Sequence, residues 1–339
     1  MKKIVRSAIP ALAGALLLTG CSAAAGSGVT ESNNIVQTSE DGKDKKLKIV
    51  TTIFPEYDWV KNIMGDRAEE AQISLLCNNG TDMHSYQPTV EDIVKISECD
   101  VFIYTGGESE EWAEDALKNA TNKDMIKVSL LDEMGSSAKK EETVEGMQEE
   151  DHAKDHDEDH AGYDEHVWLS LKNAAFLTDS ITEALCKADG ENAGVYRTNA
   201  ESYKSSLNEL DDRYIATTKN ATVKTLLFAD RFPFRYMTDD YGLDYYAAFP
   251  GCSAESEASF ETIAFLSKKA DELSLKHVMT IEGGNDSMAG AVIANTGSKD
   301  QDILVLNSIQ SVTKAEMEAG LSYMDIMEDN LKVLEKALN

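Results

Sequence analysis

Four of the chain's six histidines lie in DHAKDHDEDHAGYDEH, positions 151–166. His152, His156 and His160 recur at four-residue spacing among acids, whereas His166 leads straight into the apolar run Val167-Trp168-Leu169. A fifth, His84, stands in NNGTDMHSYQPTVEDI, positions 78–93. Imidazole is largely unprotonated at neutral pH, and its nitrogen is a good ligand for zinc and other borderline divalent ions. Two such donors facing acids across a cleft would make a cation site. The remaining question is which of these histidines the fold brings together.

The elements that position them alternate between strand and helix. LKIVTTI (47–53) reads as a strand, with a helix from Pro55 to about Met64. AQISLLC, VFIYT and MIKVSLL follow as strands, separated by TVEDIVKISE and EWAEDALKNA at helical spacing. A second set repeats the pattern with strands VKTLLFA, DYYAAF, HVMTIEG and DILVLNSI, and with one long terminal helix from Thr313. Between the sets, LKNAAFLTDSITEALCKA forms an amphipathic helix. A longer helix runs from about Glu191 to Lys219, its apolar stripe made of Val195, Tyr196, Tyr203, Leu207, Leu210 and Tyr214. Such alternation implies parallel sheets joined by right-handed crossovers, an α/β fold of two lobes. In open parallel sheets, ligands bind beyond the carboxyl ends of the strands. His84 follows the second strand and His166 the fourth, so both belong to that edge of the first lobe. His277 opens an apolar strand and reads as a half-buried structural residue.

Between Glu141 and Glu165 the chain carries 12 acids. So polar a stretch cannot bury itself and reads as a solvated loop. Its three regularly spaced histidines, set among acids that concentrate cations, suit weak auxiliary capture of metal ions. On this reading the four clustered histidines divide into a three-member lure (His152, His156, His160) and one member of the cleft site, His166.

The chain begins with Lys2, Lys3 and Arg6, then an apolar stretch from Ala8 to Leu18, then Leu18-Thr19-Gly20-Cys21. This is the pattern of a secretory signal peptide, too short in its apolar core to span a bilayer comfortably. Its ending resembles the bacterial lipobox, which implies cleavage before Cys21 and acylation of that thiol. The product would be extracytoplasmic and lipid-anchored to the bacterial cell membrane. Residues 21–46 are small and polar, a tether. The formal charge of −29 falls by a further three when the signal's basic residues are removed, which argues against nucleic acid or anionic lipid as partner. Cys77, Cys99, Cys186 and Cys252 are an even set in an exported chain, which suggests two disulfides. Cys77 with Cys99 and Cys186 with Cys252 is one arrangement; a thiolate metal site is the rival, without the close paired spacing of zinc-thiolate motifs.

GTDMHSYQPT, EHVWLSLKNA, FRYMTDDYGL and the terminal YMDIMEDNLKVLEKAL together resemble the zinc/manganese group (cluster A-I) of bacterial ABC-transporter solute-binding lipoproteins, in its zinc-handling branch. The resemblance runs from Leu47 to Asn339. It implies two (β/α)4 lobes joined by a rigid long helix, with the metal in the cleft between them. The expected divisions are 1–20 signal, 21–46 tether, 47–190 first lobe with an acidic loop at 139–165, 191–219 linking helix, and 220–339 second lobe.

By the same resemblance His84 and His166 match the family's first two metal ligands. The third falls on Arg231, whose guanidinium has no lone pair to give a cation, so the role moves to its neighbour Asp230. Arg231 and Arg235 would then orient Asp230. The fourth falls at Asn307 or its neighbour, and since an amide oxygen is a weak zinc ligand, Glu282 of TIEGGND is one substitute; the competing role for Glu282, of equal weight, is a carboxylate bonding backbone amides or Arg231, and a site of His84, His166, one carboxylate and a water is a further alternative. The implied function is a monomeric, non-enzymatic Zn²⁺ receptor delivering its ion to an ABC permease driven by an ATPase subunit. Two histidines with two carboxylates would also suit Mn²⁺. A metallohydrolase would need an open metal position and a base, but no HExxH is present. A surface adhesin would be marked by extra modules or repeats, and none is visible.

Overall fold

The computed structural model describes residues 46–148, 162–253, 257–284 and 286–339. The first sheet contains β1 (Lys48–Thr51), β2 (Gln72–Leu75), β3 (Val101–Tyr104) and β4 (Ile126–Ser129). The second contains β5 (Thr225–Phe232), β6 (Asp244–Pro250), β7 (His277–Ile281) and β8 (Asp302–Leu306). Their orders, β2-β1-β3-β4 and β6-β5-β7-β8, are the same path traced twice, and every pairing between these strands is parallel. The expected α/β architecture is therefore present. In each sheet the order reverses direction beside the first strand, opening a crevice at the carboxyl ends.

Around the first sheet lie α1 (Phe54–Met64), α2 (Val90–Glu98), α3 (Glu111–Lys118), α4 (Leu130–Met134) and α5 (Leu171–Ala188). Pro55 occupies the first turn of α1, where its missing N–H costs nothing. Thr89 caps α2 through a reciprocal pair with Asp92. The strand expected through Leu131 ends at Ser129, because the Ser129 hydroxyl accepts the Asp132 amide and starts α4.

The linking helix α6 (Ala193–Asn220) spans 28 residues. It buries Tyr196, Tyr203, Leu207, Leu210 and Tyr214, but Val195, expected in that stripe, faces solvent at 42% exposure. The second lobe adds α7 (Arg235–Tyr241), α8 (Phe260–Glu272), α9 (Asp286–Asn295), α10 (Lys314–Glu318) and α11 (Tyr323–Ala337). The single terminal helix expected from the sequence is two. Gly320 takes φ +90°, a left-handed conformation that stops α10, and Ser322 with Asp325 caps α11 afresh.

A continuous core spans both sheets. Trp59 of α1 meets Tyr323 of α11 edge to face at 5.4 Å, and the Tyr323 hydroxyl donates to the Trp168 carbonyl at 2.6 Å. The Trp168 indole N–H donates in turn to the Ser308 carbonyl at 2.9 Å. Burying each such aromatic stabilises the fold by about 1.5–3 kcal/mol, so the lobes are welded rather than hinged. Among the described residues no helix is long and apolar enough to cross a membrane. Cys77, Cys99, Cys186 and Cys252 are all free thiols, which overturns the expected disulfides. Three of them are fully buried in separate parts of the first lobe's core, and the fourth lies at the cleft.

Candidate metal centre

Asp82 initiates the short helical turn Met83–Ser85 by accepting the His84 amide at 2.9 Å. Its other oxygen holds the Arg231 guanidinium at 2.6 Å, tying this loop to the second lobe. The turn aims His84 at His166, which enters at the head of Val167–Leu169 and is fully buried. The two Nε2 atoms face each other at 3.0 Å.

Each ring is held from behind. His166 Nδ1 lies 2.9 Å from Asp164 Oδ1, which also accepts the His166 amide. A carboxylate only accepts, so this Nδ1 carries the proton. His84 Nδ1 lies 2.7 Å from the Ser109 hydroxyl and 3.5 Å from Glu165 Oε2, an oxygen that makes no hydrogen bond. Glu165 is fixed by the Ser109 amide at 2.8 Å. Gly107 makes room for it: its φ of +87° suits glycine, and a Cβ there would lie 2.4 Å from Glu165 Oε1. Acidic partners behind metal-ligating imidazoles are a recurring device that fixes tautomer and raises basicity.

With its proton on Nδ1, His166 turns the Nε2 lone pair toward Nε2 of His84, and a cation between the two nitrogens would be held by both rings. Burial drives the His84 pKa down to about 3, with the facing His166 adding to the fall. Burial also lowers His166, but Asp164 outweighs it and holds the pKa above the ordinary value. Zinc with its nitrogens at 2.0–2.1 Å would separate a tetrahedral pair by about 3.3 Å, close to the spacing present.

Among the described residues, one group of potential ligands converges within 4.8 Å: His84, His166 and Cys252. Gly251, just before Cys252, sits so close to His166 that a Cβ would come 3.0 Å from its ring and 2.9 Å from the Phe232 carbonyl. Gln310 also interacts with His84, and its buried Oε1 has no hydrogen-bond partner.

Asp230 and Glu282 are not in this group. A register shift in β5 between Phe228 and Arg231 turns Asp230 toward β7, where it accepts the amides of Arg231 at 2.9 Å and Ile281 at 3.2 Å. Glu282 accepts the Ser308 amide and hydroxyl at 2.6 and 2.7 Å and the Gln310 amide at 3.1 Å. Both carboxylates thus stabilise their own lobe's loops. Asn307 accepts the Ile309 amide at 2.7 Å. His277 lies at the opposite, amino end of β7.

His152, His156 and His160, like Cys21, lie outside the described residues. The described roots of their acidic segment pair through Lys140 and Tyr163, and Glu141 accepts the Cys252 amide at 2.9 Å. The sequence reading missed Cys252, placing it in a disulfide. It also counted Asp164 and Glu165 among the solvated acids, although both are buried. The available signal was their position immediately before a buried apolar run.

Two parallel-sheet lobes share one core, and two imidazoles converge at the carboxyl edge of the first, an arrangement whose donors suit a divalent cation. Residues 49–337 match the family model described as "Zinc-uptake complex component A periplasmic" (ZnuA), and the chain belongs to that family. It is 30% identical over 307 residues to the zinc-binding protein AdcA of Streptococcus pyogenes serotype M18, covering 88% of this chain and 58% of that one. The chain thus spans little more than half the length of such streptococcal relatives. It is also 30% identical to the high-affinity zinc uptake system protein ZnuA of Bacillus subtilis, covering 90% of this chain and 92% of the relative. Among solved structures, the Zn(II)-bound ZnuA-like domain of Streptococcus pneumoniae AdcA superposes with a TM-score of 0.68 at 27% identity, over 87% of this chain and 99% of that one. The metal-dependent lipoprotein YcdH of Bacillus subtilis superposes with a TM-score of 0.69 at 29% identity, over 86% and 99%.

Proposed function

We propose that this chain is the extracytoplasmic Zn²⁺ receptor of an ABC importer, anchored through an acylated Cys21. It would capture the ion between its lobes and deliver it to the permease, which a cytoplasmic ATPase drives. One observation carries the reading: two buried imidazoles, each braced at Nδ1 by acidic or hydroxyl groups, face each other at 3.0 Å through their Nε2 atoms. Nothing in such a site activates a substrate bond; the ion itself is the cargo. The names of its relatives support zinc as that cargo. A neighbouring thiol fits manganese poorly.

Capture needs deprotonated ligands, so binding strengthens as pH rises. Because the lobes are welded, release would come from small loop shifts at Met83–Ser85 and around Gly251, and not from wide closure. His152, His156 and His160 would act as a weak outer collecting segment.

Competitive titration of the full chain with Zn²⁺ and Mn²⁺ tests this. One tight zinc site, abolished in His84→Ala and preserved when residues 149–161 are deleted, is expected. Preferential Mn²⁺ retention would change the cargo, and equal binding by His84→Ala would overturn the site.

A further inference from the structure

The first lobe supplies both imidazoles, so a cation held only by them would not register the second lobe at all. The groups at the second lobe's edge are already committed. Asp230 and Glu282 accept backbone amides, and Arg231 is paired with Asp82. Among the described histidines, cysteines and carboxylates, the one group that converges with both imidazoles to within 4.8 Å includes the Cys252 sulfur. Its position is built: the Cys252 amide is fixed by Glu141 at 2.9 Å, and Gly251 lets the loop close onto His166 to a distance a side chain would forbid.

We propose that Cys252 is the second lobe's ligand to the transported ion, making the site a His-His-Cys centre. This inference rests on the receptor reading above and adds its selectivity. On capture the thiol gives its proton to solvent and the sulfur's electron pair to the metal. Zinc takes sulfur at about 2.3 Å and imidazole nitrogen at about 2.0–2.1 Å in one tetrahedral shell, with a fourth position left to Gln310 or water. A thiolate selects zinc and softer ions over Mn²⁺, which prefers oxygen. The same sulfur makes capture dependent on a reduced thiol, since a disulfide or a sulfinic acid offers no such donor.

The test is titration of the full chain with Co²⁺ as a spectroscopic probe, and with Zn²⁺ by competition, in wild type, Cys252→Ser, Cys252→His and Cys186→Ser. Wild type and Cys186→Ser should show the intense near-ultraviolet thiolate-to-cobalt absorption, and Cys252→Ser should lack it. Cys252→Ser should also bind zinc roughly a hundredfold more weakly, at least the loss of an outer-shell partner, with a narrowed preference over Mn²⁺. Cys252→His restores a nitrogen donor and should recover zinc affinity without the absorption, which separates a lost ligand from a lost fold. Tight metal binding by wild type with no thiolate absorption, or absorption that survives in Cys252→Ser, overturns the ligand and leaves the receptor standing. Failure of wild type to bind either ion overturns both.

Discussion

The two sheets trace the same strand order, yet their carboxyl edges do opposite things. In the first lobe the carboxylates Asp164 and Glu165 stand behind imidazoles and aim them outward into the cleft. In the second, Asp230 and Glu282 turn inward to satisfy backbone amides, and the group brought within 4.8 Å of the imidazole nitrogens is one sulfur, that of Cys252. A repeated scaffold therefore does not imply a repeated site. An acid at a strand end serves as ligand, brace or loop anchor according to what its oxygens already hold.

Breaking the first lobe's edge should have the largest effect. His166→Ala should weaken zinc binding by more than about a hundredfold, exceeding the loss of an outer-shell partner, in competition against a chromophoric chelator. Asp164→Asn keeps the ring but removes the charge behind Nδ1, and about 10–100-fold of affinity should go with it. Asp230→Asn sharpens the contrast, because it should move the zinc Kd by less than about threefold, under 1 kcal/mol. If instead it behaves like His166→Ala, the inward-facing assignment of the second lobe is broken.

A smaller effect concerns stability. Glu56 and Glu110 lie buried beneath the first lobe's edge. Burial pushes Glu56 from its ordinary 4.5 up to about 7, and burial with the neighbouring Glu56 charge pushes Glu110 to about 8. Both folded values lie above the unfolded ones, so the folded chain binds extra protons between these limits. Their contribution to stability is full below the unfolded value and is lost as pH rises through about 7 to 8. In thermal melts across that range, Glu110→Gln should lose less stability with rising pH than wild type.

Much of the architecture was legible. Strand-helix alternation carried the parallel sheets, and the resemblance carried the family. His84 and His166 stood out because each followed a strand's carboxyl end. The second lobe's edge was not legible, since nothing in FADRFPFRY reveals the register shift that turns Asp230 toward β7. Cys252 was hidden by a sound general rule: even cysteines in an exported chain usually pair. Only the fold places the other three thiols in the first lobe's core and this one beside the imidazoles.

The central claim, that the ion sits between His84 and His166, is tested most directly by zinc X-ray absorption on the full chain loaded with one equivalent. Two imidazole nitrogens at about 2.0–2.1 Å, with one sulfur near 2.3 Å, are expected. A shell without imidazole, or one with three or more imidazoles drawn from the His152–His160 segment, would contradict it.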